Sequence, residues 1–190
     1  MFGTQYHEEI VKRCPKFLAF LSPSLTSQTL SEILINSFVH SNEKSSAVCE
    51  CLTELINSVE FEILESIFGA CKEIPEAKIN MKFVGLIKNI LIKVGNMPKS
   101  SDWMGFMNLG GSKKKKDDKL TINCISFLWR LVQDNSKVPI PVIKEIFRSL
   151  KRDLATNVFK NEREDFLLAC AENLRAFRNV TQSILIIKSY

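Results

Sequence analysis

Residues 120–154, LTINCISFLWRLVQDNSKVPIPVIKEIFRSLKRDL, decide how the fold is read. Leu120, Cys124, Leu128 and Leu131 recur at steps of three and four, with Ile125, Trp129 and Val132 on the adjoining stripe. That spacing fills a broad face of a 3.6-residue helix. Asp134-Asn135-Ser136-Lys137 breaks the pattern, and Val138-Pro139-Ile140-Pro141 follows. Pro141 suits the first turn of a helix, where a missing N–H removes no hydrogen bond. Val142, Ile143, Ile146, Phe147, Leu150 and Leu154 then form the apolar face of a second helix. Two such helices joined by a short turn make an αα-hairpin, in which each covers the other's apolar face.

Outward from this hairpin, the same period recurs. A helix over residues 4–21, interrupted at Pro15, leads to a turn at Ser22-Pro23-Ser24. A helix over 27–39 carries Leu30, Ile33, Leu34 and Phe38, with Thr26 or Ser27 as its cap. The next is expected over 43–57, with Ala47, Val48, Cys51, Leu52, Leu55 and Ile56. Another spans 60–73, with Phe61, Leu64, Ile67, Phe68 and Cys71, and stops near Pro75. The one after it covers 77–94, with Gly95 in a left-handed cap. After the hairpin, a helix over 163–177 has Phe166, Leu167, Cys170, Leu174 and Phe177 as its buried face. Residues 180–187 read as a further helix or as a strand.

The fold class predicted is all-α. About eight or nine helices stack as antiparallel hairpins into an α-solenoid of the armadillo or HEAT kind, with a non-repetitive bundle as the runner-up. Residues 1–190 are expected to form one helical-repeat domain belonging to a longer array, since the apolar tail at Ile184-Leu185-Ile186-Ile187 would otherwise lack a cover. Residues 96–118 are the exception. They hold Pro98, Gly105, Gly110, Gly111 and a Lys113-Lys114-Lys115-Lys116 run without helical period, and are expected to be a long loop without regular structure.

Composition narrows the chemistry. The chain has 190 residues, is 45% hydrophobic, and carries only seven Gly and six Pro, few for an all-β protein. The formal net charge of +5 is mild, and the lysine run supplies most of it. Six cysteines fall at 14, 49, 51, 71, 124 and 170, mostly on apolar stripes, as reduced thiols would in a cytoplasmic or nuclear protein. Cys49 and Cys51 are one residue apart, which is not a zinc spacing, and His7 and His40 are the only histidines. No metal site and no cofactor are expected. No apolar run is long enough to span a membrane, and no secretory leader is read in residues 1–20. The match to a glycosylation acceptor at Asn179-Val180-Thr181 is therefore taken as chance. Acid pairs such as Glu60/Glu62 and Glu162/Glu164 fall at helix starts, where the helix dipole favours them without a catalytic role. Cys49 or Cys51 with His40 is the one conceivable nucleophile and base, and two unrelated side chains explain it better. No catalytic residues are assigned.

Two surfaces are candidates for partners. Lys144, Arg148 and Arg152 fall four apart, with Lys151 beside them, on a ridge opposite the buried stripe. Such a ridge suits an acidic protein or, as the alternative, a nucleic-acid backbone, although no aromatic side chains are interleaved with it. In the loop, Trp103, Phe106 and Met107 are large apolar side chains among Gly, Ser and Lys. They either fold back into a groove or engage a partner.

Three elements carry a family resemblance: Leu25-Thr26-Ser27-Gln28-Thr29-Leu30 opening one helix, Val59-Glu60-Phe61-Glu62-Ile63-Leu64-Glu65-Ser66-Ile67-Phe68 opening another, and Phe127-Leu128-Trp129-Arg130-Leu131 followed by Val138-Pro139-Ile140-Pro141. Over residues 25–154 their order resembles the N-terminal helical region of the very large ubiquitin-specific proteases of the fat-facets type. The resemblance implies an armadillo-like scaffold upstream of a papain-like deubiquitinase domain, with ubiquitin-pathway substrates among its protein partners. Neither the cysteine box nor the histidine box of that family's catalytic region occurs here, so the resemblance transfers no catalytic residue. The loop at 96–118 is longer than the family's pattern.

Overall fold

The computed structural model describes residues 26–40, 42–97 and 114–190. The expected first helix, and Trp103, Phe106 and Met107, lie outside the described residues. What is described is all-α: eight α-helices and two single 3-10 turns, with no strand among the described residues. The described residues fall into two compact units divided between Lys93 and Val94.

In the first unit, α1 (Ser27–His40) opens on Thr26, whose Oγ1 accepts the Thr29 N–H at 3.2 Å. This satisfies one of the N–H groups a helix start leaves open. Leu30, Leu34 and Phe38 are its buried stripe. Helix α1 packs on α2 (Asn42–Leu55) and α3 (Phe61–Glu73). Ser31 and Ser66 join α1 to α3 through a hydroxyl contact of 2.9 Å. At the far end of α1, Lys78 Nζ donates to the Phe38 carbonyl at 2.8 Å, placing a cation where the helix dipole is negative.

The helix expected over 77–94 divides in two. A 3-10 turn covers Glu76–Lys78, and α4 (Met81–Gly95) starts afresh. Asn80 is the reason: its Oδ1 accepts the Phe83 N–H at 2.9 Å, an N-cap that sets the helix start after it. Phe83 stands edge-on to Phe38, centroids 5.6 Å apart at 83°. Gly95 takes no left-handed cap, because among the described glycines none has positive φ. Its value is spatial: within the second unit, a Cβ there would lie 2.5 Å from Phe159 Cε1. Phe159 is buried and has little room to yield.

The second unit is built on the hairpin read from residues 120–154. Helix α5 (Lys114–Arg130) begins several residues before the expected loop end. Lysine is a good helix former, so the chain continues helically where no apolar residue marks a period. Helix α6 (Ile140–Leu154) follows Pro139, with Pro141 in its first turn. A 3-10 turn (Asn157–Phe159) leads into α7 (Lys160–Arg175), and α8 (Val180–Ile187) packs back on α7. Of the two readings left open for the last segment, helix is the one observed.

Trp129 holds α5, α6 and α7 together. It is only 8% exposed. Phe147 of α6 meets it edge-on at 6.5 Å and 89°, and Phe166 of α7 at 5.1 Å and 88°. Perpendicular pairs set the positive ring edge against the negative face, adding about 0.5–1.5 kcal/mol each beyond buried area.

Two substitutions check this packing by chemical denaturation. Trp129→Ala is expected to lower stability by about 3–5 kcal/mol, since it removes a large buried side chain from the meeting point of three helices. Gly95→Ala is expected to lower it by about 1–3 kcal/mol through overpacking against Phe159.

Candidate partner-binding surface

Helix α6 has two opposed faces. Val142, Ile146, Leu150 and Leu154 are buried, while Lys144, Arg148, Lys151 and Arg152 are exposed. The structure thus brings all four expected ridge residues to one solvent side of one helix. They are not equally available. Arg148 is paired with Glu145 one turn earlier, and Arg152 Nε donates to Asp153 Oδ1 at 3.2 Å. Lys144 and Lys151 form no ion pair among the described residues. Exposed pairs such as Arg148–Glu145 contribute little to stability, so both groups can re-pair with a partner.

Asp153 is a feature that periodicity does not reveal. It is buried, and its Oδ2 has no hydrogen-bond partner, as is true of Ser149 Oγ one turn before it. Around it the end of α6 is heavily capped. Arg163 Nη1 donates to the Leu154 carbonyl at 3.1 Å, and Tyr190 Oη donates to the Lys151 carbonyl at 2.8 Å. These donors meet the carbonyls a helix end leaves unpaired. Burial pushes the Tyr190 phenol up; Arg163, 5.9 Å from its ring centroid, opposes this and Asp153 reinforces it.

The corner between α7 and α8 departs furthest from the sequence reading. Phe177, expected on the buried face, is 89% exposed. Helix α7 ends at Arg175, and the Phe177 N–H bonds back to the Leu174 carbonyl and the Arg178 N–H to the Asn173 carbonyl. This pair of bonds is a Schellman turn, with Phe177 at the position glycine usually fills. Its φ of 53° is left-handed, a conformation that costs a residue with a Cβ roughly 1–2 kcal/mol. Asn179, at φ 46°, is left-handed too, as Asn tolerates better than most. Asp134 fastens the corner: its N–H reaches Asn179 Oδ1 at 3.4 Å, and its carboxylate accepts from Gln182 Nε2 at 2.5 Å.

The described thiols, Cys49, Cys51, Cys71, Cys124 and Cys170, are all buried. Burial, reinforced by Glu50, pushes Cys49 up to about 12. Burial raises Cys170 to about 11, with the neighbouring Ser183 hydroxyl, itself buried and without a hydrogen-bond partner, working in the lowering direction. Both stay protonated at neutral pH, and a protonated thiol is a poor nucleophile and metal ligand. Among the described residues no three His, Cys, Asp or Glu side chains gather as metal ligands would. No helix among them is long and apolar enough to cross a membrane.

Compared with family models, with curated proteins and with solved structures, the chain matches none.

Two measurements test the Phe177 turn and the Cys49 thiol. Phe177→Gly is expected to stabilise the fold by about 1 kcal/mol, because it relieves left-handed strain and gives up little burial. The folded state holds the Cys49 proton more tightly than the unfolded chain does. Its stability contribution is therefore complete below the ordinary value of 9.0 and is lost as pH rises towards about 12. Melting temperatures taken across that range should fall more steeply for the native chain than for Cys49→Ala.

Proposed function

We propose that this chain is a non-catalytic helical scaffold that binds protein partners. Following the family resemblance, it is read as a substrate- or partner-positioning region of a large deubiquitinase working in the cytoplasm or nucleus. A solenoid-type stacking of its helix pairs belongs to the same proposal. The observation that carries the binding role is the two-sided character of α6: its apolar face is buried beneath α5 and α7, while Lys144 and Lys151 stand exposed without an ion-pair partner among the described residues. An acidic protein surface is the complement to such a ridge. Protonated, buried thiols support the non-catalytic reading.

A nucleic-acid-binding helical repeat would use the same four side chains. Glu145 and Asp153 beside the two arginines count against it, since a phosphate backbone would meet carboxylates as well as cations. Titration with RNA at two salt concentrations separates the readings. The scaffold predicts weak binding, whereas tight binding that collapses with salt would replace it.

In quantitative affinity capture from cell extract, Lys144→Glu with Lys151→Glu is expected to deplete a defined set of proteins severalfold relative to the native chain. Trp103→Ser with Phe106→Ser and Met107→Ser asks the same of the loop side chains, and unchanged capture removes them from the binding surface. The deubiquitinase assignment predicts a full-length reading frame that continues into a papain-like ubiquitin-specific protease domain. A frame without one overturns that part alone.

A further inference from the structure

On α8, Val180, Ile184 and Ile187 are spaced four and three apart, share one helix face, and are all exposed; Leu185 is exposed beside them. The adjoining face, about a quarter turn round the helix, buries Ser183 and Ile186 as α8 packs on α7. Phe177, 89% exposed, stands at the corner before this stripe, outside α8 and on left-handed backbone. A solvent-facing helix side is normally polar, and holding an exposed aromatic ring beside it on strained backbone adds to the cost. Arg175 and Arg178 before the stripe in the chain, and Lys188 just after it, are exposed and form no ion pair among the described residues. The hydrogen bonds from Asp134 to Asn179 and Gln182 hold the corner in place.

We infer that the α7–α8 corner is a docking site for an amphipathic helix whose apolar side is bordered by acidic residues. Val180, Ile184 and Ile187 take the apolar side, as a helix laid along another engages residues at three- and four-residue steps, and Phe177 at the corner meets its end. Arg175, Arg178 and Lys188 meet the acidic border, and charge complementarity of this kind fixes partner choice and orientation. Two other occupants fit less well. A second copy paired by a two-fold axis sets the same cationic border against itself. An anionic bilayer is a less selective complement, since the exposed Glu164, Asp165 and Glu172 of α7 offset the three cations in the field it meets. The site is independent of the α6 ridge.

The test uses the whole chain and a labelled peptide with Leu at i, i+3, i+4 and i+7 and Glu at the flanking positions, beside a twin carrying Lys for Glu. Fluorescence anisotropy should show saturable binding of the Glu peptide. Binding should be weaker by ~10-fold or more for the Lys twin, and equally so for Phe177→Gly and for Arg175→Glu with Arg178→Glu. Phe177→Gly should melt at a higher temperature than the native chain while it loses the peptide, which separates lost docking from lost folding. Lys144→Glu should bind the peptide normally, so failure here and failure of the α6 reading are distinguishable. No binding, equal affinity for the twins, or binding undiminished by Phe177→Gly would overturn the inference. So would flotation with phosphatidylcholine–phosphatidylserine vesicles, or a dimer in sedimentation, that Phe177→Gly abolishes.

Discussion

The second half of this protein depends on one indole. Trp129 sits where α5, α6 and α7 converge and meets an aromatic edge from each of the other two helices. A helix pair closed by aliphatic side chains alone can slide by a fraction of a turn with little change in contact. A planar ring meeting two others at right angles adds a directional preference of about 0.5–1.5 kcal/mol per pair, which favours one crossing over its neighbours. With Val142, Ile146, Leu150 and Leu154 buried in that crossing, the cationic side of α6 is the one left to solvent.

The two exposed surfaces differ in how they are sustained. The α6 ridge is inexpensive: long cations lie on a well-capped helix, and a nearby carboxylate takes part of their charge. The α7–α8 corner is costly in two ways. Apolar side chains face water there, and Phe177 adopts a backbone conformation that glycine would occupy without strain. Neither cost helps the chain fold. A helix turn ending in Gly would close the same Schellman bonds with less strain.

Legibility in the sequence followed the hydrophobic period. Leu120, Cys124, Leu128 and Leu131, then Val142, Ile146, Leu150 and Leu154, mark their helices and are buried as read. The start of α1 was legible from chemistry as Thr26 or Ser27, and Thr26 is the one that accepts the Thr29 N–H. The period falls silent where helices run through polar residues, so α5 could not be traced back to Lys114. It also says nothing about where a last turn ends. Phe177 matches the stripe of Phe166 and Cys170 by spacing, yet it lies two residues past the end of α7, where the backbone reverses hand and turns it outward. No glycine marks that reversal. Asp153 was unreadable for a related cause: its burial is set by Arg152, Arg163 and Tyr190 gathering at the end of α6, which no local pattern contains. The α6 ridge could be placed from spacing, but the pairing of Arg148 with Glu145 and of Arg152 with Asp153 could not.

Asp134 lies in the bend after α5, yet its backbone and carboxylate are committed to Asn179 and Gln182, the latter 48 residues further along. Two corners distant in sequence are thus knotted into a single mechanical joint. The first turn of the last helix cannot lift away without also freeing the bend after α5, so the two segments open together.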